Sequence, residues 1–176
     1  MNNLEEIRSR HGPLVWNTVY RILRDHTESL DCYQDVFCEI LQRSPQQEVE
    51  NWPAFLRWLA TRRAIDRLRS RQRGQSRFDS GDVARVQSST PGPSETARFN
   101  ELVELLRLEL TKLPQRQAEA FWLNCVEEMT YEEVGRQLGV DTNTVGVLIH
   151  RARRHLRKVL TALKAEDRAE GDYRHG

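Results

Sequence analysis

The stretch from Thr130 to Lys158, TYEEVGRQLGVDTNTVGVLIHRARRHLRK, admits few folds, because it encodes two short helices around a fixed turn and closes on a basic run. Thr130 and Glu133 have the spacing of a capping box, in which each side chain accepts a hydrogen bond from the other residue's backbone N–H. Val134 and Leu138 follow one turn apart on a single face. Gly135, lacking a side chain, allows a second helix to cross closely, and Gly139 suits the left-handed residue that ends a helix. Asp141 then caps a second helix whose apolar residues Val145, Leu148, Ala152, Leu156 and Val159 recur at threes and fours. This second helix presents Thr142, Asn143 and Thr144 at its N-terminus, the end with which a recognition helix meets base edges and phosphates. An ordinary helical hairpin with a solvated basic face shares the periodicity. The agreement of caps, turn and charge favours a DNA-binding helix-turn-helix.

Composition limits how such a protein can bind nucleic acid. With 27 basic and 26 acidic residues the formal net charge is only +1, so phosphate contacts have to come from local patches. A hydrophobic content of 38% supports one domain or two small ones. Cys32, Cys38 and Cys125 form no CxxC pair and have no His at metal-ligand spacing, which predicts reduced core or half-buried thiols in a cytoplasmic protein with no metal and no cofactor. The first residues, MNNLEEIRSRHG, are charged from Glu5 onward, and no apolar run approaches the roughly 20 residues that span a bilayer, so no membrane insertion is expected. There is no nucleophile elbow, phosphate-binding loop or pair of catalytic carboxylates, and His11, His26, His150, His155 and His175 are scattered among basic segments; the chain does not read as an enzyme.

Between residues 74 and 97 the composition shifts to Gly, Ser, Pro and Asp, which predicts a flexible linker. On either side the periodicity is helical and never alternating, giving an all-α chain of two small helical domains: an N-terminal bundle over 1–73 and a C-terminal helix-turn-helix over 98–164, with a polar, disordered tail over 165–176. The N-terminal bundle opens with a helix from Leu4 to Arg24, expected to break or restart at Gly12-Pro13. Asp25 and Glu28 repeat the capping-box spacing ahead of a helix over 27–43. Its apolar face is Leu30, Tyr33, Phe37, Ile40 and Leu41, and its polar, mostly acidic face is Asp31, Gln34, Asp35 and Glu39. A third helix begins after the N-cap Asn51, tolerates Pro53 in its first turn and buries Phe55, Leu59, Ile65 and Leu68. Arg57, Arg62, Arg63, Arg67, Arg69, Arg71 and Arg73 crowd its remaining surface, interleaved with Trp52 and Trp58 in a way that suits phosphate contacts and stacking on exposed bases.

The order of these blocks is Gln34-Asp35-Val36-Phe37 on an acidic helix, Ala64-Ile65-Asp66-Arg67-Leu68-Arg69 on an arginine-rich helix, then a linker, Leu113-Pro114-Gln115-Arg116-Gln117 and the helix-turn-helix. In that order the chain resembles the bacterial RNA polymerase sigma factors of the extracytoplasmic-function type, over nearly all residues outside the linker and the tail. The resemblance implies that 1–73 corresponds to sigma region 2 and 98–164 to sigma region 4. It implies that Asp31, Gln34, Asp35 and Phe37 dock on core RNA polymerase. It also implies that Trp58, Arg62, Arg63, Asp66, Arg67 and Arg69 melt and hold the minus-10 promoter DNA. Thr142, Asn143, Thr144, Val147, His150, Arg151, Arg153 and Arg154 would bind the minus-35 element, and an anti-sigma factor would be a further partner.

Two positions depart from that family pattern. Arg62 stands where an Asn is common, four residues before Asp66, and a guanidinium cannot reproduce an amide's paired donor and acceptor. Thr144-Val145 is followed by Gly146, Val147 and Leu148 in place of a basic residue, Ser and Arg. Either Thr142, Asn143 and Thr144 make the groove contact, with Val147 against a thymine methyl, or minus-35 reading is weak. A stand-alone helix-turn-helix regulator is the alternative, expected to bind a palindromic duplex as a homodimer; a helical adaptor for proteins would show no salt-dependent DNA affinity.

Overall fold

Caps and buried faces set where each helix begins and ends. The computed structural model describes residues 4–42, 49–78 and 95–172. Among them are seven helices and no strand: α1 (Leu4–Leu23), α2 (His26–Gln42), α3 (Trp52–Phe78), α4 (Glu95–Lys112), α5 (Gln115–Cys125), α6 (Tyr131–Leu138) and α7 (Thr142–Asp172).

The helix-turn-helix forms as its residues dictate. Glu133 donates its N–H to Thr130 Oγ1 at 3.2 Å while Glu133 Oε2 accepts the Thr130 N–H at 2.9 Å, and Gly139 ends α6 with φ +65°. Asp141 Oδ1 accepts the Thr144 N–H at 2.8 Å and starts α7. Gly135 does lie under the second helix, and a tighter contact adds to that one. A Cβ there would lie 2.7 Å from the Val140 carbonyl oxygen and 3.6 Å from a Val145 methyl, so the turn's own backbone demands the glycine.

Three boundaries differ from expectation. Pro13 lies inside α1 without breaking it. The ring removes one backbone hydrogen bond, but Val15, Val19, Ile22 and Leu23 are fully buried on one face and hold the helix straight through it. Gly12 packs against the Tyr33 ring, where a Cβ would come within 2.8 Å of the phenol oxygen. Both ends of the anticipated linker are helical, since α3 continues to Phe78 and α4 starts at Glu95; residues 79–94 of that linker lie outside the described residues. The expected polar tail continues α7 as far as Asp172, in keeping with the strong helix propensity of its Ala, Glu and Arg residues; 173–176 lie outside the described residues.

The largest difference concerns the core. The first apolar cluster joins Val15, Val19 and Ile22 of α1, Val36 of α2 and Leu56, Leu59 and Ile65 of α3. It continues without interruption into Leu110, Leu113, Ala118, Trp122 and Ala152. The second cluster joins Ala120, Leu123, Met129, Val134, Val145 and Ile149 and takes in Ala54 from α3. The two helical units therefore share buried surface. Each fully buried Leu on the joint contributes about 1.5–3 kcal/mol.

Two glycine substitutions separate local from tertiary effects. Gly135→Ala should lower the free energy of unfolding in urea by roughly 1–3 kcal/mol, because the new methyl meets backbone that cannot yield. Gly146→Ala, whose Cβ would meet only a Tyr131 ring carbon at 3.5 Å, should raise it by up to about 1 kcal/mol through helix propensity.

Candidate nucleic-acid interface

The 3.6-residue period of α7 places Thr142, Asn143, Gly146, Val147, His150, Arg151 and Arg154 on one stripe, and they line one open groove together with Tyr131 and Glu132 at the start of α6. Thr142, Asn143, Val147, His150, Arg151 and Arg154 are exposed there, with donors and cations facing solvent. Two expected contact residues lie elsewhere. Thr144 is committed to its cap, donating Oγ1–H to Asp141 Oδ2 at 2.9 Å, and the Thr144 bonds hold the Asp141 carboxyl below its ordinary range. Arg153 does not line the groove and donates to Cys125 Sγ at 3.2 Å.

The arginines of α3 divide between two faces. On one, Arg63 pairs with Glu39 at 2.5 Å and Arg67 with Asp35 at 2.6 Å, with Asp31 at 3.8 Å. The acidic face of α2 is thus neither simply solvated nor free but matched to the basic face of α3. Such exposed pairs are worth only about 0.2–1 kcal/mol each and can be exchanged for other partners. Gln34 and Asp66 are exposed, whereas Phe37 turns inward, 5% exposed and packed against Tyr33. Phe37 fixes α2 on the core and has no surface to offer a partner. Its position on the apolar face of a helical wheel already pointed inward; the resemblance, not the period, had placed it outside.

On the other face α3 meets the C-terminal unit. Trp58 is half-buried and packs against both apolar clusters, with the Arg62 guanidinium carbon 5.6 Å from its ring centroid. Arg69 donates to the Leu113 carbonyl at 2.6 Å and the Thr111 carbonyl at 3.3 Å, closing the C-terminal end of α4. Burial lowers the Arg69 pKa from its ordinary value, against the attraction of Asp66 and Glu119. Trp58 and Arg69 are therefore held by the C-terminal unit, while the α7 stripe stays open.

Sequence reasoning missed the charged groups that hold the units together. Glu127, only 5% exposed at its side chain, accepts the Thr18 hydroxyl at 3.0 Å and lies 3.7 Å from both Arg21 and Arg57. Arg107 donates to the Ile22 carbonyl at 2.6 Å and also to the Leu23 carbonyl, satisfying the end of α1 from α4, while Glu104 pairs with it at 2.5 Å. Glu109 contacts Lys112 at 2.6 Å and His155 at 2.7 Å; burial opposes its ionisation, but the two hydrogen bonds together hold its pKa below the ordinary value. Glu119 is buried, and desolvation pushes its pKa up despite a 2.6 Å hydrogen bond from Gln115 and the pull of Arg62. The indole N–H of Trp58, on the same side, is buried without a well-aligned partner. The available signal was the pair of acids, Glu119 and Glu127, set in the apolar run AEAFWLNCVEEM. Among the described residues, no group of three His, Cys, Asp or Glu side chains could hold a metal ion.

Fold and stripe together define an all-helical DNA-binding protein of the helix-turn-helix class with a second helical unit ahead of the reading head. The sequence profile of Sigma-70 region 2 matches residues 7–74, and that of Sigma-70, region 4 matches residues 104–156. The chain belongs to the sigma-70 family, among its extracytoplasmic-function (ECF) members. It is similar to the ECF RNA polymerase sigma factor SigE of Mycolicibacterium smegmatis, with 27% identity over 94% of this chain and 65% of that one. It is also similar to the RNA polymerase sigma factor CarQ of Myxococcus xanthus, with 26% identity over 92% and 91% of the two chains. The fold is shared with the sigma factor RpoE of Bartonella quintana, solved with the anti-sigma factor NepR (TM-score 0.56, 18% identity, 92% of this chain and 98% of that one). It is shared as well with CnrH, solved with the cytosolic domain of CnrY (TM-score 0.53, 21% identity, 90% and 88%).

The raised pKa of Glu119 has a testable sign. Its ionised form is disfavoured in the folded state, so the protein is most stable with Glu119 protonated and loses stability as pH rises through the folded pKa. Glu119→Gln should raise the urea midpoint at neutral pH, with the gap to wild type closing as pH falls toward the ordinary carboxyl value of about 4.

Proposed function

We propose that this chain directs core RNA polymerase to a subset of promoters, as a cytoplasmic initiation factor that performs no covalent chemistry itself. The observation that carries this reading is the open stripe on α7, a recognition helix with exposed Asn143, His150, Arg151 and Arg154, in a chain whose two halves match sigma regions 2 and 4 in order. Among the described residues no helix is long and apolar enough to cross a membrane.

In this reading the duplex minus-35 element binds along Thr142, Asn143, Val147, His150, Arg151 and Arg154, with the cations on phosphates and the helix N-terminus toward the base edges. The minus-10 strand binds α3, with Trp58 as a stacking surface and Arg62 and Arg69 as phosphate contacts. Core polymerase docks on Asp31, Gln34 and Asp35 of α2, drawing Asp35 away from Arg67 and leaving that guanidinium for the strand.

These roles require two arrangements of the same chain. The C-terminal unit that covers Trp58 and holds Arg69 occupies the surface the single strand needs. The arrangement described above is therefore the resting form, and polymerase binding separates the units by competing for their contacts. An anti-sigma partner would act by favouring the closed form; of the proteins that share this fold, RpoE is solved with the anti-sigma factor NepR and CnrH with the cytosolic domain of CnrY.

Two variants test the reading. Asp35→Arg removes one exposed ion pair, leaves the core intact and should reduce co-purification with bacterial core RNA polymerase at least tenfold; unchanged recovery would reject the docking face. Glu127→Arg places a cation beside Arg21 and Arg57 and should open the units, seen as a larger radius of gyration in solution scattering. An unchanged radius would mean that Glu127 does not hold them.

A further inference from the structure

The reading stripe of α7 has an unusual centre. Its ends carry hydrogen-bonding groups, Thr142 and Asn143 at the N-terminus and His150, Arg151 and Arg154 toward the C-terminus. Its middle carries Gly146 and Val147, neither of which has a polar side-chain atom. Beside them stands Tyr131, the first residue of α6, with a ring carbon 3.5 Å from where a Cβ of Gly146 would lie. Tyr131 is 37% exposed and Val147 is 47% exposed. The missing side chain thus leaves a notch at Gly146 beside the Tyr131 ring, in a groove that the exposed Val147 also lines.

The Gly146 and Val147 sides of this notch offer a base edge no hydrogen-bonding side-chain group, and the part of Tyr131 that meets Gly146 is a ring carbon. In the major groove one base-edge feature is apolar, the C5 methyl of thymine, which is also the feature that distinguishes T·A from A·T and from both G·C orientations without a polar contact. The surroundings favour a polyanion over an apolar protein segment as the occupant, because Arg151, Arg154 and His150 line the same groove against the single carboxylate of Glu132. The absence of a Cβ at Gly146 also lets the helix backbone approach the base edges more closely than any other residue would.

We infer that Tyr131, Gly146 and Val147 form a thymine-methyl receptor at the centre of the recognition helix, and that this receptor sets the upstream promoter preference of the protein. The inference rests on the reading of α7 as the minus-35 helix and adds to it a specificity determinant on α6, Tyr131, which lies outside the recognition helix. Asn143 supplies the hydrogen-bonding readout on the N-terminal side of the notch, and the two arginines fix register on the backbone. The glycine, which costs about 1 kcal/mol of helix stability relative to Ala, is kept for the space it leaves.

The test uses single-atom-group changes in the DNA. The full-length protein with bacterial core RNA polymerase is used to select upstream elements from promoter duplexes randomised at that position. Each thymine of the selected element is then replaced by deoxyuridine, which lacks only the methyl group. One central thymine should lose about fourfold in affinity on replacement, the worth of burying one methyl, and the other thymines should lose little. The dT/dU ratio at that position should fall to near one for Val147→Ser and for Gly146→Ala, whose new methyl fills the notch. Because the ratio is the readout, a variant that merely grips DNA less well does not imitate the effect. A selected element in which every thymine tolerates deoxyuridine would overturn the receptor while leaving the promoter-binding reading intact. Initiation without enrichment of any upstream sequence would overturn it as well, and failure of the protein to bind polymerase or any promoter would remove the functional reading beneath it.

Discussion

The structure depends on α3 having two partners. Its Leu56, Leu59 and Ile65 complete the core with α1 and α2, and its Ala54 and Trp58 lie in the second cluster with α5, α6 and α7. A helix buried on both sides leaves little surface for anything else. In the proposed function the residues that hold an unpaired strand are on it nonetheless, and that conflict is what calls for two states.

Polar contacts at the joint decide how tightly the units close. Glu127 is buried among Thr18, Arg21 and Arg57, and Arg107 satisfies the terminal carbonyls of α1 from the far side of the sequence. A charge taken out of water costs several kcal/mol unless it is paired, so these groups favour the closed form only while every partner is in place. Shared apolar area gives the attraction, and the charged contacts fix how the units fit. Glu119 adds a buried carboxyl whose ionisation burial disfavours. The balance is suited to opening by a competing surface.

How much of this was legible in the sequence follows from the range of the contacts involved. The capping box at Thr130, the left-handed Gly139 and the Asp141 cap act over three or four residues, and the structure places each where the spacing put it. Pro13 was misread as a break because the burial of Val15, Val19 and Ile22, which overrides it, comes from other helices. For Gly135 the spacing gives the contact with the second helix at Val145 but not the tighter one with the Val140 carbonyl, which depends on how the turn is wound. Composition alone sets the expected linker ends, and it does not register that α3 runs on to Phe78 and α4 begins at Glu95. The joint between the units was invisible for the same reason: Thr18 and Glu127 are far apart in sequence, and no period relates them. In the candidate site, the stripe on α7 was legible from helical periodicity, except that Thr144 is taken up by its cap and Arg153 turns to Cys125. The role of Tyr131 required knowing which way α6 crosses α7.

The central claim is that the closed form opens when the protein binds polymerase, and the chain carries its own reporters for it. Cys38 on α2 and Cys125 at the end of α5 are exposed and free, and Cys32 is buried, with burial pushing its thiol up to about 12. Spin labels on these two native cysteines report the distance between the units by pulsed electron resonance without any substitution. Opening on binding gives one short, narrow distance in the free protein and a longer distribution once bacterial core RNA polymerase is bound. The same short distance in both would contradict it.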